Sequence, residues 1–425
     1  MEAPKETPLI RKYELPTNVP WEVTDKTQFS QFTDILTKNG LVPPDPLIAY
    51  RGGGMMAPSA KELAPSYKKF LASERSIAVM PVKSEPGGKL EQVVHFPTKK
   101  EESPFDANLA SYKLHVGDYV FDHWNTKENG PPPMVKVEKV DQLDDGRYVA
   151  FARYRGYLRG LGKAPGFLGI QEMDTKRISL DETRRLVRVL DTIHPTTSNF
   201  QSWVKESGRT IPKDSWLSSE NPMVALRGQE WWINPDADTD RLRELTGKMK
   251  AMEKDYQHLD QNFHPSESLD QMIRNNLLLY PHQNGAIDDP ALAAETVITH
   301  GTIYPENIHQ YIPRDGSKPT YTVFGGDRAH GMGLRGEMID WLVAAASESP
   351  AHQQAMIKEF IKLHPDHKDR RGLAMHILYR SIMEASWHAK QNPETYGNLV
   401  KLTYDIMNGK GVWEGVNTPL LKSTA

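Results

Sequence analysis

The sequence predicts an α+β fold: a small antiparallel β-rich unit followed by a predominantly helical C-terminal half, with long irregular connections. Two observations carry that expectation. Residues 334–408 show successive apolar periodicities of about 3.6 residues, the spacing that stacks side chains on one helix face. Residues 75–160 instead hold short β-branched and aromatic runs separated by turn residues.

The C-terminal helices come in order. Leu334, Met338, Trp341, Leu342 and Ala345 form the first stripe, and Met356, Phe360 and Leu363 the second. Ala374, Leu378, Ile382 and Ala385 form the third, and Tyr396, Leu399, Thr403 and Ile406 the fourth. Short amphipathic helices cannot bury their stripes alone, so these are expected to pack on one another. His364-Pro365 closes the second helix, because the residue before proline is pushed out of the helical region. Asn392-Pro393-Glu394 opens the fourth with a capping side chain, a proline where its missing N–H costs nothing, and an acid at the positive end.

Upstream, Pro4, Pro8, Pro16 and Pro20 mark an extended arm. A helix with the stripe Phe29, Phe32, Ile35 and Leu36 follows and ends at Asn39-Gly40. The runs RSIAVMPV, EQVVHF, YKLHVGDYVFDHW, MVKVEKV and RYVAFARY read as strands of a small sheet with solvent on one face. Asp145-Gly146 supplies hairpin chemistry for the last pair, and Asn129-Gly130-Pro131-Pro132-Pro133 reads as an exposed loop. Ser179 and Glu182 fit a capping box. Residues 236–260 read as one helix striped by Leu242, Leu245, Met249, Met252, Tyr256 and Leu259, suited to docking on another helix. The expected segments are 1–74 (arm and short helix), 75–178 (β-rich unit), 179–290 (helical and Trp-rich), and 291–425 (strand-like segment and helical bundle).

Composition bounds the function classes. Lys plus Arg is 52 against 55 Asp plus Glu, a net charge of −3, so no global basic excess points to nucleic acid or an anionic membrane. The chain contains no cysteine, which excludes disulfides, thiolate metal sites and cysteine nucleophiles. No apolar stretch approaches the roughly 20 residues of a membrane helix, and the first residues lack the apolar core of a secretory signal. The expected setting is soluble, cytoplasmic or within a particle.

Strong catalytic patterns do not appear. The HExxH, G-x-S-x-G, P-loop and dinucleotide fingerprints are all missing, and Arg51-Gly52-Gly53-Gly54 reads as a loop after a short strand. His258, His264 and His282, and likewise His364, Asp366 and His367, cluster in sequence without the spacing of a ligand set, so no metal or cofactor is expected. Arg153, Arg155, Tyr157 and Arg159 interleave cations with aromatics, a pattern that serves protein contacts or stacks on bases.

The most specific polar constellation is Thr299-His300-Gly301-Thr302 after the β-like VIT, with Tyr321 on a later strand-like run. A strand-borne His-Gly-Thr followed by a tyrosine and a distal glutamate resembles the diphtheria-toxin-like ADP-ribosyltransferases. That resemblance implies NAD as substrate, with His300 on the cofactor ribose, Tyr321 stacked on nicotinamide, and Glu337 positioning the transferred ribose. Glu337 falls in a predicted helix, where the family places a strand.

The leading functional expectation is a structural or interaction component of a larger assembly, such as a phage or viral particle. Its expected partners are other proteins or copies of itself, without membrane contact. The alternatives are the ADP-ribosyltransferase-like enzyme at His300, Tyr321 and Glu337, and a nucleic-acid-binding accessory protein using Arg153, Arg155, Tyr157 and Arg159.

Overall fold

The protein is described here from a computed structural model covering residues 20–22, 26–43, 48–52, 77–82, 92–97, 111–126, 130–134, 136–144, 146, 148–153, 159–162, 172–211, 215–218, 239–279, 290–311, 319–326 and 328–418. In chain order come β1 (Pro20–Glu22), α1 (Lys26–Lys38), β2 (Ile48–Gly52), β3 (Ile77–Val82), β4 (Gln92–Pro97), a π turn (Tyr112–Val116) running into α2 (Gly117–His123), β5 (Val137–Gln142), β6 (Tyr148–Arg153) and β7 (Arg159–Gly160). Then follow α3 (Leu180–Thr192), α4 (Thr197–Glu206), α5 (Thr239–Tyr256), α6 (Pro265–Asn276), β8 (Val297–Thr299), β9 (Ile308–Tyr311), β10 (Thr320–Val323) and β11 (His330–Gly333). A 3₁₀ turn (Arg335–Met338) leads to α7 (Asp340–Ala345), α8 (Pro350–Leu363), α9 (His367–Gln391) and α10 (Pro393–Met407). The architecture is mixed α+β, with small antiparallel sheets early and helices dominating the C-terminal half. The chain forms two compact units, one of residues 1–168 with 306–325 and one of 169–305 with 326–425.

The first unit is built on an antiparallel sheet of order β1-β2-β3-β4-β6-β5. The β5–β6 hairpin turns where the sequence places Asp145-Gly146; Gly146 sits at φ 90° and its N–H donates to the Leu143 carbonyl at 2.9 Å. At the end of α1, Asn39 Nδ2 donates to Asp141 Oδ2 at 2.8 Å, and Lys139 Nζ lies 2.9 Å from the same carboxylate. A second sheet of order β10-β9-β7 completes this unit.

Three expectations are corrected in this unit. Residues 112–124 are not a strand. Tyr112, Val116 and Val120 recur every four residues and are all fully buried, so the helical period overrides the β propensity of the run. Nor does β6 keep one face in solvent: Val149, Ala150, Phe151 and Ala152 are all buried, as befits a strand flanked by β4 and β5. In the proline-rich loop, Pro132 and Pro133 are buried, and the Pro133 carbonyl accepts from the Val323 N–H at 2.7 Å. Of the expected arm at residues 1–24, only residues 20–22 are described, and they form β1.

The second unit is helical apart from the β8–β11 ribbon. Its caps follow the sequence signals. Ser179 Oγ accepts from the Glu182 N–H at 3.2 Å while the Glu182 carboxylate accepts from the Ser179 N–H at 2.8 Å. Asn392 Oδ1 accepts from the Thr395 N–H at 3.2 Å. The expected helix at 334–345 splits into the 3₁₀ turn and α7. The stripes do collapse together: Phe360, Leu378 and Leu399 are at most 1% exposed, and Trp341 is half-buried. The α5 stripe docks within the unit on α6, α9 and α10, burying Leu245, Met249, Met252 and Tyr256. No described helix is long and apolar enough to cross a membrane.

Two substitutions separate packing from capping. Phe360→Ala is expected to cost about 3–5 kcal/mol in urea unfolding, through lost burial and the cavity left behind. Ser179→Ala is expected to cost about 1 kcal/mol, through the loss of one cap.

Candidate functional site

The polar interior of the second unit starts at the β8–β11 ribbon. Thr299 pairs with His330 across it, and a register shift lies between His330 and Gly333. Gly333 admits the Thr299 side chain, because a Cβ there would stand 1.9 Å from Thr299 Cγ2. Past β8, Gly301 takes φ +72° with the Arg328 carbonyl 2.2 Å from where its Cβ would be, so only glycine fits this turn.

The His330 ring makes polar contacts with Thr299, Arg328 and Glu337. Nδ1 donates to the Arg328 carbonyl at 2.9 Å, and Nε2 lies 2.9 Å from Thr299 Oγ1 and 3.3 Å from Glu337 Oε1. An imidazolium, with both ring nitrogens donating, would satisfy the carbonyl and the carboxylate together. Burial alone would push its pKa down, but the Glu337 charge and hydrogen bond outweigh burial and raise it. Burial pushes the Glu337 carboxyl up, yet His330, with smaller pulls from His376 and Thr299, holds it at about 2. The result is an enclosed ion pair, with Glu337 only 8% exposed and His330 2%.

His194 and His300 form a second line. His194 Nδ1 donates to the Leu190 carbonyl at 2.6 Å, and Nε2 accepts from the His300 N–H at 3.3 Å. Burial holds the His194 pKa below its ordinary value, which keeps Nε2 available as an acceptor. His300 Nδ1 accepts from the Thr302 N–H at 3.3 Å and from its hydroxyl at 3.2 Å. Thr302 Oγ1 in turn accepts from the Gly326 N–H at 3.2 Å. Beyond Glu337, Asp340 accepts from Arg380 Nε at 3.1 Å, and the Arg380 guanidinium lies 3.8 Å over the Trp341 ring. Tyr304 meets Trp341 edge-on at 4.5 Å.

Of the expected site residues, His300 and Glu337 belong to this unit, and both act electrostatically or by hydrogen bond on His194. Tyr321 belongs to the other unit, buried on β10 opposite Gln310. Arg153 ends β6 opposite Gln92 and Arg159 opens β7 opposite Gln310, while Arg155 and Tyr157 lie outside the described residues. Among the described residues no three His, Asp or Glu side chains are grouped to hold a metal. His364 bonds Asp191 at 2.8 Å, Asp366 caps α9, and His367 reaches the Gly415 carbonyl at 3.1 Å. Thr299 was part of the expected polar constellation, whereas His194 and His330 were not anticipated. Their signal is nonlocal, since β8 and β11 are separated by an intervening hairpin.

One spacing also escapes a search for familiar fingerprints. His300-x-Thr302-x₄-Asn307 has the spacing of the kinase catalytic loop H-R-D-x₄-N, with threonine at the aspartate. The loop leaves β8 and runs directly into the antiparallel β9–β10 hairpin, where the Asn307 carbonyl accepts from the Phe324 N–H at 2.7 Å.

No family model matches the chain, and no curated relative does. Similar solved structures include a wild-type aminoglycoside 2′-phosphotransferase IIIa in complex with GDP, at 11% identity and TM-score 0.40, covering 91% of this chain and 99% of that one. A spectinomycin phosphotransferase with ADP and spectinomycin shows 10% identity and TM-score 0.40, with coverage of 92% and 98%. A structure of the GDP and kanamycin complex of APH(2″)-IIIa shows 10% identity and TM-score 0.36, with coverage of 77% and 89%. The expectation of a structural or interaction component of an assembly, a phage or viral particle protein, is corrected against these matches, which are nucleotide-bound enzymes. The ADP-ribosyltransferase-like and nucleic-acid alternatives are set aside with it. At these identities and scores, no substrate or residue role is carried across.

The ion pair has a pH signature. The raised His330 pKa contributes stability that is full below its ordinary value of 6.5 and lost as pH rises through the folded-state value. The lowered Glu337 pKa contributes stability present above its ordinary 4.5 and lost as pH falls through about 2. In NMR titrations, wild-type His330 is expected to titrate above 6.5 and Glu337→Gln to bring it below 6.5, because burial then acts without the opposing charge.

Proposed function

We propose that this chain binds a nucleoside phosphate through a phosphotransfer-type loop, residues 300–307, that has kept its framework but not its carboxylate base. The observation that carries this is the spacing of His300, Thr302 and Asn307 in a loop set between β8 and the β9–β10 hairpin. In phosphotransfer loops of this spacing, the aspartate accepts the proton of the attacking hydroxyl and the asparagine holds a magnesium ion. A threonine hydroxyl is not a base at neutral pH. Here it is also committed, donating to His300 Nδ1 and accepting from the Gly326 N–H.

Among the described residues, the donor set at this loop does not fit a bound divalent cation. Magnesium is held by carboxylates together with phosphate oxygens. Asn307 offers one amide oxygen, Gly325 and Gly326 follow β10, and no metal-holding group occurs among the described residues. The chain's own contribution is a rigid turn: His194 fixes the His300 backbone, and Thr302 joins the loop to Gly326.

Titration calorimetry of the full chain with ATP, GTP, ADP and GDP, each with and without Mg²⁺, tests the proposal. At least one purine nucleotide is expected to bind without Mg²⁺, with γ-phosphate release no faster than in buffer. Failure of all four to bind at millimolar concentration defeats the reading, as does turnover in the range of about 1–100 s⁻¹ typical of kinases.

A further inference from the structure

We propose that the start of α9 in the second unit is a site for a small oxyanion of the phosphate class, with Arg371 as its receptor. This inference is independent of the nucleotide reading. Arg371 is 1% exposed, and none of its three guanidinium nitrogens has a hydrogen-bond partner among the described residues. An enclosed guanidinium with no acceptor is among the costliest arrangements a protein can hold. Burial lowers its pKa only to about 10, so it remains charged at neutral pH.

The neighbouring groups do not neutralise it. Lys368 Nζ donates to the Ala291 carbonyl and, at 2.9 Å, to that of Ala293. Arg370 donates to the Val412 carbonyl and, at 3.3 Å, to that of Glu414. Lys368 Nζ and Arg370 Nη2 thus donate to neutral oxygens, and Arg370 Nε has no hydrogen-bond partner among the described residues. The nearby acids are engaged elsewhere: Asp366 Oδ1 accepts from the Lys368 N–H at 2.7 Å, and Asp369 lies 3.8 Å from Arg335 Nε. Three cations therefore share the first turns of a 25-residue helix, at the end where the helix dipole is itself positive. Helical side chains lean toward the N-terminus, so Arg371 points back toward that pole. The planar fork of a guanidinium suits two oxygens of a tetrahedral or planar oxyanion.

Arg371 is closed off from solvent, so the anion enters during folding or local opening of the helix start. The test therefore uses full-length protein refolded in potassium phosphate or in potassium chloride of equal ionic strength. Thermal midpoints are compared for wild type and Arg371→Met, and inorganic phosphate is titrated into chloride-refolded wild type by calorimetry. Phosphate is expected to raise the wild-type midpoint in a saturating manner, beyond any general salt effect seen in the variant. In chloride, Arg371→Met is expected to match or exceed the wild-type midpoint, because it removes an uncompensated buried charge. Equal phosphate responses in the two proteins would overturn the site. So would a variant that unfolds at lower temperature in chloride or fails to fold, since Arg371 would then have a partner within the chain. Absence of phosphate binding in the calorimeter would count the same way.

Discussion

The middle of helix α9, from Arg371 to Leu378, is buried without a break, and the second unit is arranged to meet that constraint. It packs against α5, α6, α7, α10 and the 3₁₀ turn at 335–338. Leu373, Ala374, Ile377, Leu378, Ile382 and Ala385 are at most 1% exposed, and so are Arg371, His376 and Ser381. A helix segment buried in this way must satisfy its polar groups internally or leave them unsatisfied. Asp340 does this for Arg380, with the Trp341 ring closing over the guanidinium. The 3₁₀ turn that packs on α9 carries Glu337, whose carboxylate is also drawn down by His376. The enclosure of one helix thus reaches the ribbon that bears the candidate loop.

Within that interior, two histidines have their pKa values pushed in opposite directions by their surroundings. His330 faces a carboxylate that favours its charged form, while burial favours the neutral form of His194, whose ring meets a backbone carbonyl. Such divergence is a common mark of functional interiors, although structural ion-pair networks also produce it. The geometry assigns the two rings different work. His330 fastens β11 to β8 and the 3₁₀ turn, whereas His194 uses its free lone pair to hold the backbone of His300.

Much of the architecture was legible because it rests on local rules. The caps at Ser179 and Asn392 and the turn at Gly146 are set by neighbours within a few residues. So are the stripes through Phe360, Leu378 and Leu399, whose period alone identifies the buried face. The segment at 112–123 misled because tyrosine and valine favour strands, whereas their spacing of four residues was the stronger signal. The double-sided burial of β6 depends on which strands flank it, a fact of topology that alternation along one strand does not contain. The site divides in the same way. His300 and Thr302 stood out as a polar cluster, but His194 and His330 are brought to them only by the fold, from 106 residues before His300 and by strand pairing with Thr299.

Thr302 and the neutral form of His300 are a matched pair. The hydroxyl donates to a ring nitrogen and accepts from the Gly326 N–H, so one neutral group satisfies both partners. An aspartate there could still accept from Gly326, but it would set a carboxylate against the lone pair of Nδ1. His300 would then have to take up a proton inside a closed interior, or the contact would be lost. His300 is only 1% exposed, so such a charge would need a compensating group, as His330 has in Glu337. The threonine therefore goes with a loop held uncharged at this point. The physical cost of restoring a base would fall on the histidine beside it as well as on the substituted residue.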